Sequence, residues 1–234
     1  LPKGTFTDGD KNDVLTYSAT SKPDWLSIDS AGNLTGTPSY AAADSSTASV
    51  VYVATDRAGL TATTTLTIKL TNTATIKGTA NSETIVAGAG ADKITGVAGD
   101  DTITGGADND TISGGAGNDS LTGGSGNDYF LFDIAANATS NLDTITDFVS
   151  GSDKLQFSKK VFAGLGKAAG SLTDAQFAYS TENLTTTDRI IYNSSTGELY
   201  YDADGSGTGS SAVQVALIGA SSHPTLAYTD MAII

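Results

Sequence analysis

Six acidic side chains recur at one fixed spacing: Glu83, Asp92, Asp101, Asp110, Asp119 and Asp128 follow one another every nine residues. They lie in an unbroken run of nonapeptides over 78–131: GTANSETIV, AGAGADKIT, GVAGDDTIT, GGADNDTIS, GGAGNDSLT and GGSGNDYFL. The acid holds position 6. Position 8 is always apolar: Ile85, Ile94, Ile103, Ile112, Leu121 and Phe130. Glycine crowds the first positions, and 13 of the chain's 27 glycines fall in this stretch. Carboxylates at this density, with no Cys and with His223 as the only His, suit a hard divalent cation rather than zinc. Backbone carbonyls of Gly-rich turns can complete the large oxygen shell that Ca2+ prefers, whereas Mg2+ demands strict octahedral geometry and keeps its waters.

The spacing also says what must hold these groups. Three residues of strand after a six-residue turn make one side of a flat coil, with position 8 inward and positions 7 and 9 outward. Two nonapeptides close the coil, so turns eighteen residues apart stack about 4.8 Å from each other. Glu83 then lies over Asp101, Asp92 over Asp110, Asp101 over Asp119, and Asp110 over Asp128. Between Lys77 and Lys154 the only basic residue is Lys93. Two carboxylates at this separation repel by roughly 3 kcal/mol at an effective dielectric near 20. Several such pairs rival the whole stability of a domain, about 5–15 kcal/mol. A divalent ion between rungs reverses the sign. A flexible Gly/Asp linker would have no reason to place an apolar residue at every ninth position, and a metal-free solenoid would leave the acidic column uncompensated. The expectation is a segment that is disordered without calcium and folded with it.

The flanks read as β structure. In the N-terminal part, VLTYSAT (14–20), VVYVATD (50–56) and LTATTTLTIKL (60–70) are rich in β-branched and aromatic residues. In the last of these the even positions, from Leu60 to Leu70, form the core face. Turn-forming stretches separate them, which suggests a β-sandwich with Trp25 as a core anchor. In the C-terminal part, RIIYNSSTGELYYD (189–202) predicts a hairpin, AVQVALIG (212–219) a strand, and SLTDAQF (171–177) a short helix capped at Ser171 or Thr173. The expected class is all-β: a sandwich over 1–73, a parallel β-roll over 74–157, and a mostly β C-terminal cap over 158–234.

Composition excludes several functions. The 234 residues carry 12 Lys+Arg against 26 Asp+Glu, a net charge of −14. No nucleic-acid surface is expected, because neutralising phosphates needs Lys and Arg clusters. No apolar run is long enough for membrane insertion. With no HExxH and no GxSxG, and with His223 before Pro224 reading as a loop residue, no catalytic activity is expected. GLGKAAG (164–170) lacks the spacing of a phosphate loop. LPKGTFTDGD at the start holds no apolar leader, so no Sec signal is expected and the chain reads as a piece of something longer.

The nonapeptides resemble the repeats-in-toxin (RTX) family of type I-secreted bacterial proteins, most clearly in GGAGNDSLTGGSGND (114–128). DTITDFVSGSDKLQF (143–157) is similar to the segment that closes the roll in serralysin-type proteases, and TGELYYDADGSG (196–207) and the terminal DMAII (230–234) are similar to the tails of such chains. The resemblance implies Ca2+, about four ions or more, between stacked turns. The implied ligands are the six acids above with Asp143, Asp147 and Asp153, together with turn carbonyls. Those carbonyls fall on Gly88, Gly90, Gly99, Gly105, Gly106, Gly114, Gly115, Gly117, Gly123, Gly124 and Gly126. It also implies the type I secretion machinery as a partner, export in an unfolded state, and a secreted or cell-surface location. Asn81, Glu83, Ala87, Val97 and Asp108 depart from the family pattern.

Residues 1–73 resemble the cadherin-like (dystroglycan-type, He_PIG) domain of bacterial adhesins, through FTDGDKNDVLTYSA, PDWLSIDSAGNLTGTP and VYVATDRAGLTATTTLTI. Asp8, Asp10, Asp13 and Asp56 are either turn formers or calcium ligands there. Asp202 and Asp204 in DADGSG resemble the start of an EF-hand loop, but Val213 stands where a bidentate Glu is needed. The leading reading is the non-catalytic, calcium-binding C-terminal region of a large secreted adhesin or surface protein. The alternatives are a module that binds surface polysaccharide or peptide, and the accessory end of a secreted hydrolase.

Overall fold

Strand-forming sequence broken by Gly, Asp and Asn turns organises nearly the whole chain into sheets. The computed structural model describes residues 14–36, 47–69, 73–166, 169–179, 184–205, 211–219 and 222–234. They form two units, 1–72 and 73–234. Asp8, Asp10, Asp13 and Leu70 lie outside the described residues, as do parts of GLGKAAG and DADGSG.

In the first unit, β1 (Thr16–Ser21), β4 (Thr47–Thr55) and β5 (Thr61–Lys69) form an antiparallel sheet in the order β1-β4-β5. β2 (Leu26–Ile28) and β3 (Leu34–Gly36) pair as a second, two-stranded sheet. Alternation along β4 buries Val50 and Tyr52 completely against Leu26, with Trp25, Leu66 and Ile68 packed around them. Trp25 is thus at the margin of a core centred on Tyr52. Leu60 departs from the expected inward face: it precedes β5 in the turn at 56–60 and is 72% exposed. Asp56 closes that turn by accepting a hydrogen bond from Leu60 N at 2.7 Å.

The second unit is built from an eighteen-residue coil. β6 (Thr75–Lys77), β8 (Lys93–Ala98), β10 (Thr111–Ala116), β12 (Tyr129–Phe132) and β14 (Lys154–Phe157) stack in parallel as one wall. β7 (Thr84–Ala89), β9 (Thr102–Ala107), β11 (Ser120–Ser125) and β13 (Asp143–Ile145) form the opposite wall. The strands over 84–125 are six residues long, twice the expected length. They run from position 7 through position 3 of the next repeat, because positions 2 and 3 still pair with the neighbouring rung, with only position 1 skipped in the register. The inward side chains Ile94, Ile103, Ile112, Leu121, Phe130, Ile145 and Leu155 make one buried stack. β6 lies within the expected roll but ahead of the first nonapeptide. Its rung has Ala74 where a carboxylate would stand, yet Ile76 packs against the same core.

Both walls run on without a break into the C-terminal residues. β19 (Val213–Ile218) continues the second wall from β13, followed by β18 (Glu198–Tyr201), β17 (Ile190–Asn193) and β16 (Phe177–Tyr179). β20 (Met231–Ile233) continues the first wall from β14, edged by β15 (Gly170–Ser171). The expected hairpin is β17–β18. The short helix at SLTDAQF is a single 3-10 turn, Asp174–Gln176, with Gln176 Oε1 accepting from Thr173 N. Asp230 locks the terminal strand in place: its buried carboxylate accepts from Ser150 Oγ, Gly151 N and Ala227 N, with Lys154 Nζ at 3.7 Å.

Among the described residues two with side chains sit at positive φ, Val97 (94°) and Asp108 (75°), where every other repeat but the first, with Thr79 and Asn81, has Gly. A β-branched residue there stores about 1–3 kcal/mol of strain. Val97→Gly is therefore expected to stabilise the calcium-loaded protein by about 1 kcal/mol, less than the strain itself because Gly also loosens the unfolded chain. A melting temperature unchanged or lower in the variant would contradict this.

Candidate metal centre

Each position-6 aspartate engages one oxygen in the same way. Oδ1 accepts the backbone amide of the residue eighteen positions earlier: Ala74 N to Asp92 at 2.5 Å, Glu83 N to Asp101 at 2.8 Å, Asp92 N to Asp110 at 2.8 Å, Asp101 N to Asp119 at 2.7 Å, and Asp110 N to Asp128 at 2.8 Å. The same ladder passes into the closing segment, where Asp119 N donates to Asp143 Oδ1 and Asp128 N to Asp153 Oδ1. Spacing there is 24 and 25 residues, because the connection over 133–142 is longer than the turns between the other strands. Asp143 and Asp153 thus extend the column although they fall out of the period.

Oδ2 is the atom with chemistry left to do. In Asp101, Asp110 and Asp119 it is buried and takes no hydrogen bond. It points at the position-1 glycine of its own turn. A methyl group on Gly96 would overlap Asp101 Oδ2 and come within 2.5 Å of the Gly114 carbonyl oxygen. One on Gly105 would overlap Asp110 Oδ2 and reach the Gly123 carbonyl at 2.8 Å. Gly114 and Gly123 face Asp119 Oδ2 and Asp128 Oδ2 in the same way. Anionic and carbonyl oxygens from successive rungs therefore converge where position 1 has no side chain. The remaining implied glycines, Gly88, Gly90, Gly99, Gly106, Gly115, Gly117, Gly124 and Gly126, all have positive φ. Among the described residues no three acidic or His side chains group tightly enough to hold a metal by themselves. The carbonyl oxygens that converge at position 1 are the further protein ligands at hand. Hard oxygens of mixed charge, left unsatisfied in a buried position, fit Ca2+.

Other predicted acids are differently engaged. Both oxygens of Glu83 accept from Thr79, through its amide at 2.9 Å and its hydroxyl, which holds the carboxyl below its usual range. Asp147 accepts Gly123 N and Gly124 N, one on each oxygen. Asp153 accepts Asp128 N and Val149 N. Asp202 is buried and accepts Asp204 N, which makes a tight turn of DADG. Position 5 went unnoticed in the sequence, yet Ser82, Asp100, Asn109 and Asn118 each accept an amide from the next rung. Their only signal was a preference for short acceptor side chains.

The electrostatic argument from sequence put mutual repulsion first, and the structure changes that order. Burial is the largest cause pushing Asp110 up to about 7. The charges of Asp128, Asp92 and Asp108 add to it, and the Asp92 amide opposes it. Asp143 is pushed up to about 8, again by burial first and then by Asp119. Asp101, Asp119 and Asp128 are raised for the same leading reason. A carboxyl whose folded value lies above its unfolded one stabilises the fold fully below the unfolded value. It loses that contribution as pH rises through the folded one. In chelator, then, the roll is expected to lose stability steadily from about pH 4 up to about pH 8. Melting in chelator at pH 5 and pH 8 checks the sign, and a higher melting temperature at pH 8 would refute it.

Comparison with known proteins agrees with this geometry. Residues 77–112 and 95–130 match the profile of the RTX calcium-binding nonapeptide repeat, and residues 1–71 match that of a putative Ig domain. Among solved structures, that of the AlgE6R3 subunit from the Azotobacter vinelandii mannuronan C5-epimerase is 25% identical, covers 69% of this chain and 78% of that one, and superposes with a TM-score of 0.31. That score is too low to bear on the site. No curated protein matches the chain.

Proposed function

We propose that this chain, an Ig-like domain followed by RTX calcium-binding nonapeptide repeats, is the non-catalytic C-terminal region of a large type I-secreted adhesin or surface protein, and that calcium drives its folding after export. The observation that carries the calcium part is the column of buried, unpartnered Oδ2 atoms at Asp101, Asp110 and Asp119, each aimed at the position-1 glycine of its own turn, with a carbonyl of the next rung alongside at Gly96 and Gly105. Calcium supplies the positive charge these oxygens lack, so the burial that opposes folding in its absence becomes favourable in its presence. Asp92, Asp101, Asp110, Asp119 and Asp128 are assigned as the carboxylate ligands, with Asp143 continuing the column. Glu83, Asp147 and Asp153 act chiefly as acceptors that hold turns. The Ig-like domain is assigned a spacer role, and residues 158–234 a capping role that also carries the export signal.

Each site held at tenfold over its Kd adds about 1.4 kcal/mol, so a few sites decide whether a marginal segment folds. Trp25, the only Trp, lies in the first unit, so its emission reports from that unit. In a calcium titration of the full chain at pH 7.5, the far-UV β-signal is expected to grow severalfold while Trp25 emission changes little. An equal β-signal in excess chelator and in millimolar calcium would end the proposal.

A further inference from the structure

The stacked turns are joined by two hydrogen-bond ladders that run in opposite directions. At position 6 the amide of the earlier rung donates to the carboxylate of the later one. At position 5 the later rung donates to the earlier: Asp100 N to Ser82 Oγ at 3.0 Å, Asn118 N to Asp100 Oδ1 at 2.8 Å, Asn127 N to Asn109 Oδ1 at 2.8 Å, and Leu142 N to Asn118 Oδ1 at 2.9 Å. Asp100 and Asp101, adjacent in one turn, therefore bind the rung below and the rung above through four hydrogen bonds.

The geometry points to Asp100, Asn109 and Asn118 as positioning residues for the metal. Their side chains clamp successive turns so that Oδ2 of one rung stays opposite the carbonyl of the next. Calcium accepts oxygens only within about 2.3–2.6 Å, so a small slackening between rungs removes a ligand. What position 5 needs is an acceptor, not a charge, since Ser, Asp and Asn all serve. The two turn edges of the roll differ here. Ser82, Asp100 and Asn118 form a continuous clamp along one edge. On the other edge Ala91 occupies the position below Asn109 and offers no side-chain acceptor. The rung pair 91/109 lacks this clamp, and the calcium concentration needed to fold the roll is set partly by it.

This inference rests on the calcium reading, and one set of titrations separates the two. The full chain and its variants are titrated with calcium, reading bound ions by equilibrium dialysis and the folding midpoint by far-UV circular dichroism. Asn118→Ala is expected to raise the midpoint about tenfold, the scale of lost outer-shell support, with the final ion count unchanged. Asn118→Asp keeps the acceptor and should return the midpoint to the parent's or below. Ala91→Asn supplies the missing acceptor and should lower the midpoint severalfold, a gain that loss of packing cannot imitate. An unshifted Ala91→Asn overturns the inference, and so does an Asn118→Asp no better than Asn118→Ala. If Asn118→Ala fails to fold at any calcium concentration, Ala91→Asn decides alone. A parent chain with no calcium response overturns both readings, whereas a responsive parent with unresponsive variants overturns only this one.

Discussion

Replacing Asp110 by Asn is expected to help the protein without calcium and harm it with calcium. Asp110 is fully buried. Its Oδ1 accepts Asp92 N at 2.8 Å, a bond that Asn retains through its own carbonyl oxygen. Its Oδ2 has no partner and faces the space at Gly105, beside the Gly123 carbonyl. An amide NH2 placed there can donate to that carbonyl, where the carboxylate could only repel it. The substitution removes a desolvated charge worth about 1–3 kcal/mol of destabilisation. The folded fraction in chelator at pH 8 should therefore rise, most visibly when Asp119→Asn is combined with it. With calcium the same change deletes an anionic ligand, and the calcium-induced gain in melting temperature should shrink. Paired melts in chelator and in calcium read both signs. A variant less stable than the parent in chelator would show that Oδ2 is not an isolated charge.

Gly106→Ala is expected to have the largest effect of any single methyl group. Gly106 has φ of 124° and pairs with Gly88 on one side and Gly124 on the other. An added Cβ would overlap the Gly88 carbonyl oxygen and sit 2.8 Å from the carbonyl carbon. Those are backbone atoms of a strand, so relief requires separating β7 from β9. Backbone strain alone is about 1–3 kcal/mol, and the overlap should take the total loss above about 3 kcal/mol. Gly151→Ala is the control: φ is 85°, but nothing lies within 4 Å of the new methyl, leaving strain alone. Equal losses of melting temperature in the two variants would show that close stacking of rungs does not constrain Gly106.

The repeats were legible because each rung states its own rule locally. Apolar position 8, acidic position 6 and small positions 1 to 4 are fixed by the side a residue faces, which depends on phase alone. Where phase breaks, the sequence falls silent. Ala74–Lys77 forms a rung without an acid, and Asp143 and Asp153 rejoin the ladder after a longer connection, so spacing could suggest neither register. Glu83 sits in phase yet turns to Thr79. The clamp at position 5 was invisible because Ser, Asp and Asn share no class but the ability to accept a hydrogen bond.

The amino-acid sequence alone determined the eighteen-residue coil, the buried aliphatic stack and a column of acids that suits calcium, since periodicity and charge are properties of order along the chain. Tertiary structure decided which carboxylate oxygen is spent on an amide and which remains for a metal, and that burial rather than repulsion leads the electrostatics. It also decided that the last strand of the chain completes a wall of the roll. Those outcomes depend on distances between residues eighteen to eighty positions apart, and only the closed fold sets them.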